Sequence, residues 1–378
     1  MPFANGSSLF VNVIAASVAL FALLAVSLLV ALVVVRSRNA VLRRRRARLT
    51  SAWRAVFTTA YTGAPEPDPL PRIRRADWFT VLQLFVQFHD IRDKDRPRAN
   101  EVFPKLDALA RRLRLDDYAL SLLHRGDDAD KILALNALGH LRDPRAFDTA
   151  ERLAKNDGPE LSRAAAHCAL RTEPEFIARV LELVGAREEW IRSRIEMMLR
   201  EVDPHRLDRA MLGAIADADD AGRTRLLDFV RFCTPSTARA ISKAVIETTN
   251  DVEVVAAALR SLAPLAGPDD REIALAFSRN AEAVVALSAL RVLRKCVRYD
   301  DRDLLVELTA NRDYWVRLRA AEVVVELYGE TGLAQEFADL HPDRYARDAV
   351  RQALAERRRM QLRLERADRR AGAKSAGG

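Results

Sequence analysis

The sequence predicts an all-α fold, in which a single N-terminal transmembrane helix is followed by an α-solenoid of about eight helix pairs. Two observations support this fold class. Residues 9–35 form an apolar run of 27 residues without a charge or a proline. As a helix, this run is longer than the roughly 30 Å hydrocarbon core of a bilayer. From residue 127 onward, apolar segments with helical spacing recur about every 30 residues.

An arginine tract directly follows the apolar run, and the first acidic residue of the chain is Glu66. Under the positive-inside rule, this tract predicts that residues 1–8 lie outside the membrane and that all later residues are cytoplasmic. With Trp53 as an interfacial aromatic, the tract is also a candidate contact for anionic lipid. The alternative is that it only sets the topology. These membrane-surface candidates are Arg36, Arg38, Arg43, Arg44, Arg45, Arg46, Arg48 and Trp53.

Two alternatives for the N-terminal run fit the sequence less well. A cleaved signal peptide carries positive charge before its apolar core, whereas residues 1–8 have no charged side chain. A buried helix of a soluble protein is rarely apolar on all sides over this length. Arginine outnumbers lysine by 54 to 7, which is the coding bias of a GC-rich bacterium. We therefore expect a single-pass protein of a bacterial inner membrane.

The net charge of +8 is unevenly distributed along the chain. Residues 1–65 carry eight arginines and no acid, and residues 351–378 carry nine basic and three acidic side chains. The residues between them therefore have a net charge of −6. A mildly acidic middle argues against a nucleic-acid-binding groove. Nucleic-acid binding through the two basic ends stays open as an alternative function.

Between the span and the repeats, composition divides the chain into three segments. Residues 36–61 are typical of a basic juxtamembrane helix. Residues 62–71, TGAPEPDPLP, are typical of a linker, because four prolines and a glycine prevent a regular helix. Residues 72–126 are predicted to form an N-terminal helical cap, since terminal units of a repeat array usually differ from the others. Its helices are expected at about 76–89, 102–114 and 116–124.

The repeats occupy residues 127–355, and residues 356–378 form a basic C-terminal helix and tail. In the first helices of the repeats, the aligned positions are Ile132, Leu161, Ile191, Thr224, Val254, Val284, Val316 and Tyr345. Their spacing of 29 to 33 residues fits one helix–turn–helix unit per repeat. Several turns contain Asp-Pro, Glu-Pro or Thr-Pro, with proline at the first position of the second helix. The second helices are expected at about 145–155, 175–184, 206–216, 236–248, 270–278, 302–309 and 333–340.

The stretch from about 127 to 355 resembles a HEAT-repeat solenoid, of the short-unit kind called PBS-lyase HEAT-like repeats. The likeness rests on the acidic start of each first helix, on a V/I-R-x-x-A pattern and on the Asp-Pro turn. The best copy of the pattern is WVRLRAAEVVVEL at residues 315–327. The resemblance implies an architecture and not an activity. Some proteins of this class are bilin lyases or DNA glycosylases, so an enzyme is the second alternative, although no matching catalytic residues are found here.

The sequence contains no constellation typical of catalysis, cofactor binding or metal binding. There is no Gly-rich phosphate loop, HExxH or GxSxG motif, and no Cys/His cluster at ligand spacing. The three cysteines, Cys168, Cys233 and Cys296, are far apart, as expected for a reducing compartment. We therefore expect a non-enzymatic protein without a cofactor.

Two sets of residues are candidate protein-binding sites. The second helices of such repeats usually line the concave face, which nominates Arg145, Arg179, Arg206, Arg239 and Arg302. The alternative set lies at the start of two first helices and comprises Trp190, Arg192, Arg194, Trp315, Arg317 and Arg319. Tryptophan and arginine dominate interface hot spots. The simpler interpretation of this second set is that both tryptophans are packed and the arginines pair with acids of adjacent repeats.

Together these features predict a membrane-anchored cytoplasmic scaffold or adaptor. The anchor would confine a helical surface to the bilayer and raise its effective concentration for a membrane-associated partner protein. A membrane enzyme complex, such as one that makes envelope polysaccharide, is a suitable partner.

Overall fold

The computed structural model describes residues 27–29, 32, 36, 47–62, 69–74, 76–90, 96–155, 158–329 and 332–375. Within these residues the regular structure is helical and contains no strand. The chain divides into two compact units, Met1–Glu173 and Pro174–Gly378.

Unit 1 contains seven helices in its described residues. They are α1 (47–62), α2 (Trp78–Asp90), α3 (Arg96–Arg112), α4 (Leu115–Arg125), α5 (Asp128–Leu141), α6 (Phe147–Ala154) and α7 (Pro159–Thr172). Helix α3 begins at Arg96, six residues before the start expected at about residue 102. Pro97 is compatible with this earlier start because it falls in the first turn, where no N–H is required.

Unit 2 continues the alternation of first and second helices. Its helices are α8 (Ile177–Ala186), α9 (Arg192–Leu199), α10 (Pro204–Asp217), α11 (Asp220–Leu227), α12 (Pro235–Thr248), α13 (Val252–Leu262), α14 (Arg271–Ser278), α15 (Ala283–Cys296), α16 (Arg302–Thr309), α17 (Tyr314–Tyr328), α18 (Leu333–Leu340) and α19 (Arg344–Ser375). The predicted second helices at 302–309 and 333–340 are confirmed residue for residue. The other second helices are confirmed within a few residues.

The first helices are buried on several faces and are rich in alanine. In α7, the side chains of Ala164, Ala165 and Ala166 are all fully buried, and so are Ala256 and Ala258 in α13. Three successive buried residues on a helix cannot lie on one face, because each residue turns about 100° from the last. Neighbouring helices therefore enclose these first helices, and small side chains let the neighbours approach closely.

The register of the predicted repeats needs corrections. Ile191 was aligned with apolar core positions, but it precedes α9 and is 51% exposed, and the C-terminal end is also wrong. Asp343 accepts the N–H of Ala346 at 2.9 Å, so Ala346 is the third residue after the helix cap, as Val316 is after Asp313. Ala346 is fully buried, whereas the predicted equivalent, Tyr345, is 66% exposed. The alignment was wrong by one residue because an aromatic residue was matched to an apolar core position, while the cap sets the register.

The folded part of unit 1 begins earlier than the predicted boundary at residue 72. Trp53 and Phe57 of α1 are fully buried, with ring centroids 6.1 Å apart. Phe57 also packs against Phe88 of α2, at 5.6 Å between centroids. The prediction that Trp53 lies at a membrane interface is therefore wrong. Its apolar ring is used in the core of unit 1 instead.

The predicted membrane span, 9–35, lies mostly outside the described residues. Its described residues, 27–29 and 32, are helical, and Leu28, Leu29 and Leu32 are 70%, 64% and 62% exposed. Among the helices that the structure describes, none combines the length and the apolar character that a bilayer crossing requires. Arg38 and residues 43–46 of the arginine tract, and residues 63–68 of the predicted linker, also lie outside the described part of the chain.

Buried carboxylates organise the turns that precede α14 and α16. Asp270 is fully buried and accepts the N–H of Gly267 at 2.8 Å. Arg239 Nη2 and Lys243 Nζ lie 2.7 and 2.8 Å from its two oxygens. Asp301 repeats the motif one unit later and accepts the N–H of Arg298 at 2.7 Å. Each of these carboxylates ties a turn to a basic side chain of the preceding helix pair.

Replacing Asp270 with asparagine should destabilise the protein in a pH-dependent way. Burial alone would raise the pKa of Asp270, but hydrogen bonds from Lys243, the Gly267 N–H and Arg239 outweigh it and hold the pKa below its usual value. A lowered pKa in the folded state contributes stability above about pH 4, which is lost as the pH falls through that pKa. We expect Asp270→Asn to cost about 1.5–3 kcal/mol of unfolding free energy at pH 7, and less below pH 4.

Urea unfolding between pH 7 and pH 3 measures this difference. The matched control is Asp269→Asn, because Asp269 is the neighbouring acid and its side chain is 88% exposed. The control should change stability by less than about 0.5 kcal/mol. An equal effect of the two substitutions at pH 7 would contradict the assigned role of the buried carboxylate.

Candidate protein-interaction surface

Two tryptophans that share a sequence pattern lie in opposite environments. Trp190 is 4% exposed and Trp315 is 62% exposed. The difference follows from where each helix begins. Helix α9 begins at Arg192, so Trp190 precedes it, whereas α17 begins at Tyr314, so Trp315 is its second residue. The expectation that both tryptophans are packed is correct for Trp190 and wrong for Trp315.

Trp315 belongs to an exposed group of aromatic rings around one arginine. The ring centroids of Tyr314 and Trp315 are 5.2 Å apart. The guanidinium carbon of Arg317 lies 5.9 Å from the ring centroid of Tyr314 and 5.4 Å from that of Tyr345, which are cation–π distances. Tyr314 and Tyr345 are 45% and 66% exposed. We call Tyr314, Trp315, Arg317 and Tyr345 the aromatic–arginine patch.

Hydrogen bonds to the preceding loop hold the patch in place. Asp313 caps α17 by accepting the N–H groups of Trp315 at 2.9 Å and Val316 at 3.0 Å. Arg317 Nη1 donates to the carbonyl oxygens of Asn311 at 2.8 Å and Arg312 at 2.9 Å. Side chains that are ordered before binding lose less entropy when a partner docks.

The next helix pair repeats this arrangement. Arg347 Nη1 donates to the carbonyl oxygens of His341 at 2.6 Å and Pro342 at 3.2 Å. Arg347 is therefore the equivalent of Arg317, and the two first helices present their N-terminal turns in the same way. This equivalence places Tyr345, the second residue of α19, beside Arg317 of α17.

The surroundings of the patch are basic. Residues 312–319 and 344–351 contain six arginines and two aspartates. One of these aspartates, Asp313, is the helix cap. The other, Asp348, lies 3.9 Å from Arg344 and 3.7 Å from Arg351. Arg319 and Arg351 also pair with Glu322 and Asp339. Arg312, Arg317 and Arg347 form no ion pair within the described residues, so the local field favours an acidic ligand.

The arginines expected on the concave face are tied to acids of the protein itself. Arg145 lies 2.7 Å from Asp116, 3.0 Å from Asp117 and 2.6 Å from the buried Asp143. The hydrogen bond from Arg145 lowers the pKa of Asp143. These contacts make Arg145 a structural residue.

The other members of this row are also paired. Arg206 lies 2.9 Å from Glu175 of the preceding helix pair, Arg239 lies 2.7 Å from Asp270, and Arg302 lies 3.7 Å from Glu336. Arg179 pairs with Glu182 on its own helix. The role of these arginines in protein binding stays a prediction, because four of the five side chains are 40–51% exposed although most of the five also link successive helix pairs.

The remaining candidate arginines differ from one another. Arg192 lies 2.7 Å from Asp228 of the following helix pair, as expected. Arg319 instead pairs with Glu322 within α17. Arg194 is exposed, and so are Arg36 and Arg48 of the arginine tract. The structure thus brings only Trp315 and Arg317 of the two candidate sets into one exposed cluster.

The thiols of the three cysteines are protonated at neutral pH. Burial raises the pKa of Cys168 and of Cys233 to about 12, and that of Cys296 to about 11. A thiol with such a pKa is a poor nucleophile. Across the described residues, no group of three or more His, Cys, Asp or Glu side chains could hold a metal ion.

Unit 1 has an open cavity of about 360 Å³ between α4, α5 and α6. It is lined by Leu123, His124, Lys131, Thr149, Arg152, Leu153 and Lys155. Three of the four basic residues lie at the C-terminal ends of α4 and α6, where positive charge complements the helix dipole. Their charge is accounted for without a ligand.

No protein-family model matches this chain, and no curated protein matches it. The aromatic–arginine patch therefore rests on the geometry alone. Sequence reasoning missed its two tyrosines. The signal that would have found them is the cap aspartate, because the first two residues after Asp313 or Asp343 precede the first buried position of each helix.

Trp190→Ala and Trp315→Ala should have different effects on stability. Removing the buried indole of Trp190 should cost about 3–5 kcal/mol and lower the melting temperature. Removing the exposed indole of Trp315 should cost less than about 1 kcal/mol. Thermal unfolding of the two variants beside the parent chain checks this. Equal losses of stability would show that Trp315 is part of a packed core.

Proposed function

We propose that this chain is a scaffold that binds a partner protein through the aromatic–arginine patch. The observation that carries the proposal is Trp315, which is 62% exposed on a capped helix and packs beside the exposed Tyr314. Tryptophan, tyrosine and arginine contribute most of the binding energy at protein interfaces. A group of large exposed aromatics has no evident use within unit 2 itself, because the core beneath it is complete with Val316 and Ala346.

The partner that this surface fits is a protein segment with acidic and apolar side chains. Arg312 and Arg344 are exposed, and they precede Tyr314 and Tyr345 by two residues and one residue in the sequence. An acidic partner would be drawn by the arginines, and its apolar side chains would cover the rings. Such charge complementarity mainly increases the association rate and the selectivity of binding.

The apolar run 9–35 and the arginine tract support a membrane anchor for this scaffold. We place the chain in a bacterial inner membrane as a single-pass protein, with the N-terminus outside and both units in the cytoplasm. Trp53, in the core of unit 1, follows Val35 by 18 residues, which reach at most about 60 Å when fully extended. Unit 1 would thus stay near the bilayer, where exposed arginines such as Arg48 can approach anionic lipid.

Confinement near the bilayer would raise the effective concentration of the patch for a membrane-associated partner. A membrane enzyme complex, for example one that makes envelope polysaccharide, fits this requirement. The likeness of residues 127–355 to HEAT-like repeats also supports a binding role. No observation on the described residues favours the alternatives of a HEAT-like lyase or glycosylase, or of a nucleic-acid binder.

Site-specific photo-crosslinking in intact cells tests the docking site. A photoreactive amino acid replaces Trp315 or Tyr345 in the full chain, and Leu212 serves as the control, because it is 50% exposed on the second helix α10. We expect a discrete crosslinked protein from positions 315 and 345, and at least a tenfold weaker product from position 212. An Arg317→Ala substitution should weaken both patch products. A discrete product from position 212 alone would place docking on the second helices and contradict the proposal.

A further inference from the structure

Helix α19 is much longer than the helices that cover it. It runs for 32 residues, Arg344–Ser375. Near its start, Ala346, Val350 and Ala353 are 0%, 0% and 4% exposed where α19 packs on α17 and α18. From Arg358 to Arg366 every side chain is exposed. The helical backbone runs for 18 residues beyond Arg357, about 27 Å, and the first nine of them lie outside the part of α19 that unit 2 covers.

The apolar stripe of α19 continues into this exposed part with a strict heptad spacing. Positions 346, 350 and 353 alternate steps of four and three residues, and the same alternation leads through 357, 360, 364, 367 and 371. After Arg357, the residues at these positions are Met360, Leu364, Ala367 and Ala371. Steps of four and three over successive heptads are the a and d pattern of a coiled coil. Met360 and Leu364 are 61% and 59% exposed and thus lack a partner helix within the described residues.

We propose that residues 358–375 pair with the same helix of a second copy of this chain, as a parallel two-stranded coiled coil. This inference goes beyond the scaffold function and does not rest on it. With Met360 at a d position and Leu364 at an a position, Arg363 occupies g and Asp368 occupies e. In a parallel pair, g of one helix faces the following e of the other. Arg363 and Asp368 then form two symmetry-related ion pairs.

The charge pattern also selects the parallel arrangement. In an antiparallel pair, g positions face g positions and e positions face e positions. The g positions of the exposed part are Arg363 and Arg370, so an antiparallel pair would bring arginines together. Like charges at these positions oppose pairing.

A membrane surface fits this helix less well. An interfacial helix gathers its apolar side chains on one face. Leu362 is 50% exposed, and it lies two residues, or about 200°, from Met360 around the helix. Leu362 is therefore on the side opposite the stripe and outside the pairing surface, where it provides a matched control.

The pairing is expected to be weak for isolated chains. The heptad pattern after Arg357 covers only two heptads and ends in Ala367 and Ala371, and short helices are marginal without further support. The proposed anchor would hold two chains in one plane and raise their mutual concentration. The dimer should therefore be measured in the full chain in native membranes.

Cysteine crosslinking tests the pairing, and the three native cysteines are buried in the folded protein. In a parallel coiled coil, the two copies of residue 364 face each other. Mild oxidation of Leu364→Cys should give at least tenfold more disulfide-linked dimer than oxidation of Leu362→Cys. Equal crosslinking at both positions would indicate random collision, and no crosslinking at either would indicate a different occupant. Each of these results overturns the proposal.

A charge exchange tests the register independently. Adding Arg363→Asp to Leu364→Cys should lower the yield of linked dimer, because both ion pairs become repulsive. Adding Asp368→Arg as well should restore the yield. Arg363 and Leu364 are exposed, and Asp368 lies further along the same helix, so all variants should have the melting temperature of the parent. A yield that stays low after the exchange would overturn the parallel register.

Discussion

The structure depends on one constraint, which is that a pair of short helices cannot bury its own apolar surface. A helix such as α16 or α18 has only eight residues and would be unstable alone. First helices such as α13 and α15 are instead packed against the second helix of the preceding pair and against neighbouring first helices. Alanine and other small residues make this close packing possible. The helix pairs therefore stabilise one another, and the stability of each depends on its neighbours.

This packing leaves charged side chains mainly at the helix ends, and there they connect successive pairs. Arg239 and Asp270 form one such link, and Arg271 with Asp301 forms the next. Exposed ion pairs contribute little to stability, but these two carboxylates are buried at 0% and 5% exposure. A buried carboxylate that lost its partner would be costly. The links therefore fix the order and register in which helix pairs stack.

The packing of the first helices also explains why the aromatic–arginine patch can be exposed. The N-terminal turn of a first helix precedes its first buried residue, so side chains there can vary without disturbing the core. At α17 and α19 these positions hold Tyr314, Trp315 and Tyr345 instead of small polar residues. Arg317 is used twice, since it holds the preceding loop by hydrogen bonds and contacts two of the rings. A framework of repeats thus provides a rigid place for a binding surface.

Much of the fold could be predicted from the sequence, because helix caps and Asp-Pro turns are local signals. The second helices expected at about 206–216 and 236–248, which follow Asp203-Pro204 and Thr234-Pro235, were predicted within two residues of their observed bounds for this reason. Whether a single side chain is buried depends on how many residues separate it from the helix cap. The alignment of apolar positions did not use that distance. That is why Trp315 was expected in the core and Tyr345 was aligned one residue off. Trp53 was misplaced because Phe88, which packs against Phe57 of the same helix, lies across a proline-rich segment that suggested a domain boundary.

We propose that a membrane anchor keeps both units on the cytoplasmic side. A topology measurement tests this proposal most directly. Two reporter enzymes, one active only outside the inner membrane and one active only in the cytoplasm, are fused separately after Gly378 of the full chain. We expect the fusions to stay with the membrane after alkaline washing, and we expect only the cytoplasmic reporter to be active. Activity of the external reporter, or release of the fusions by washing, would contradict it.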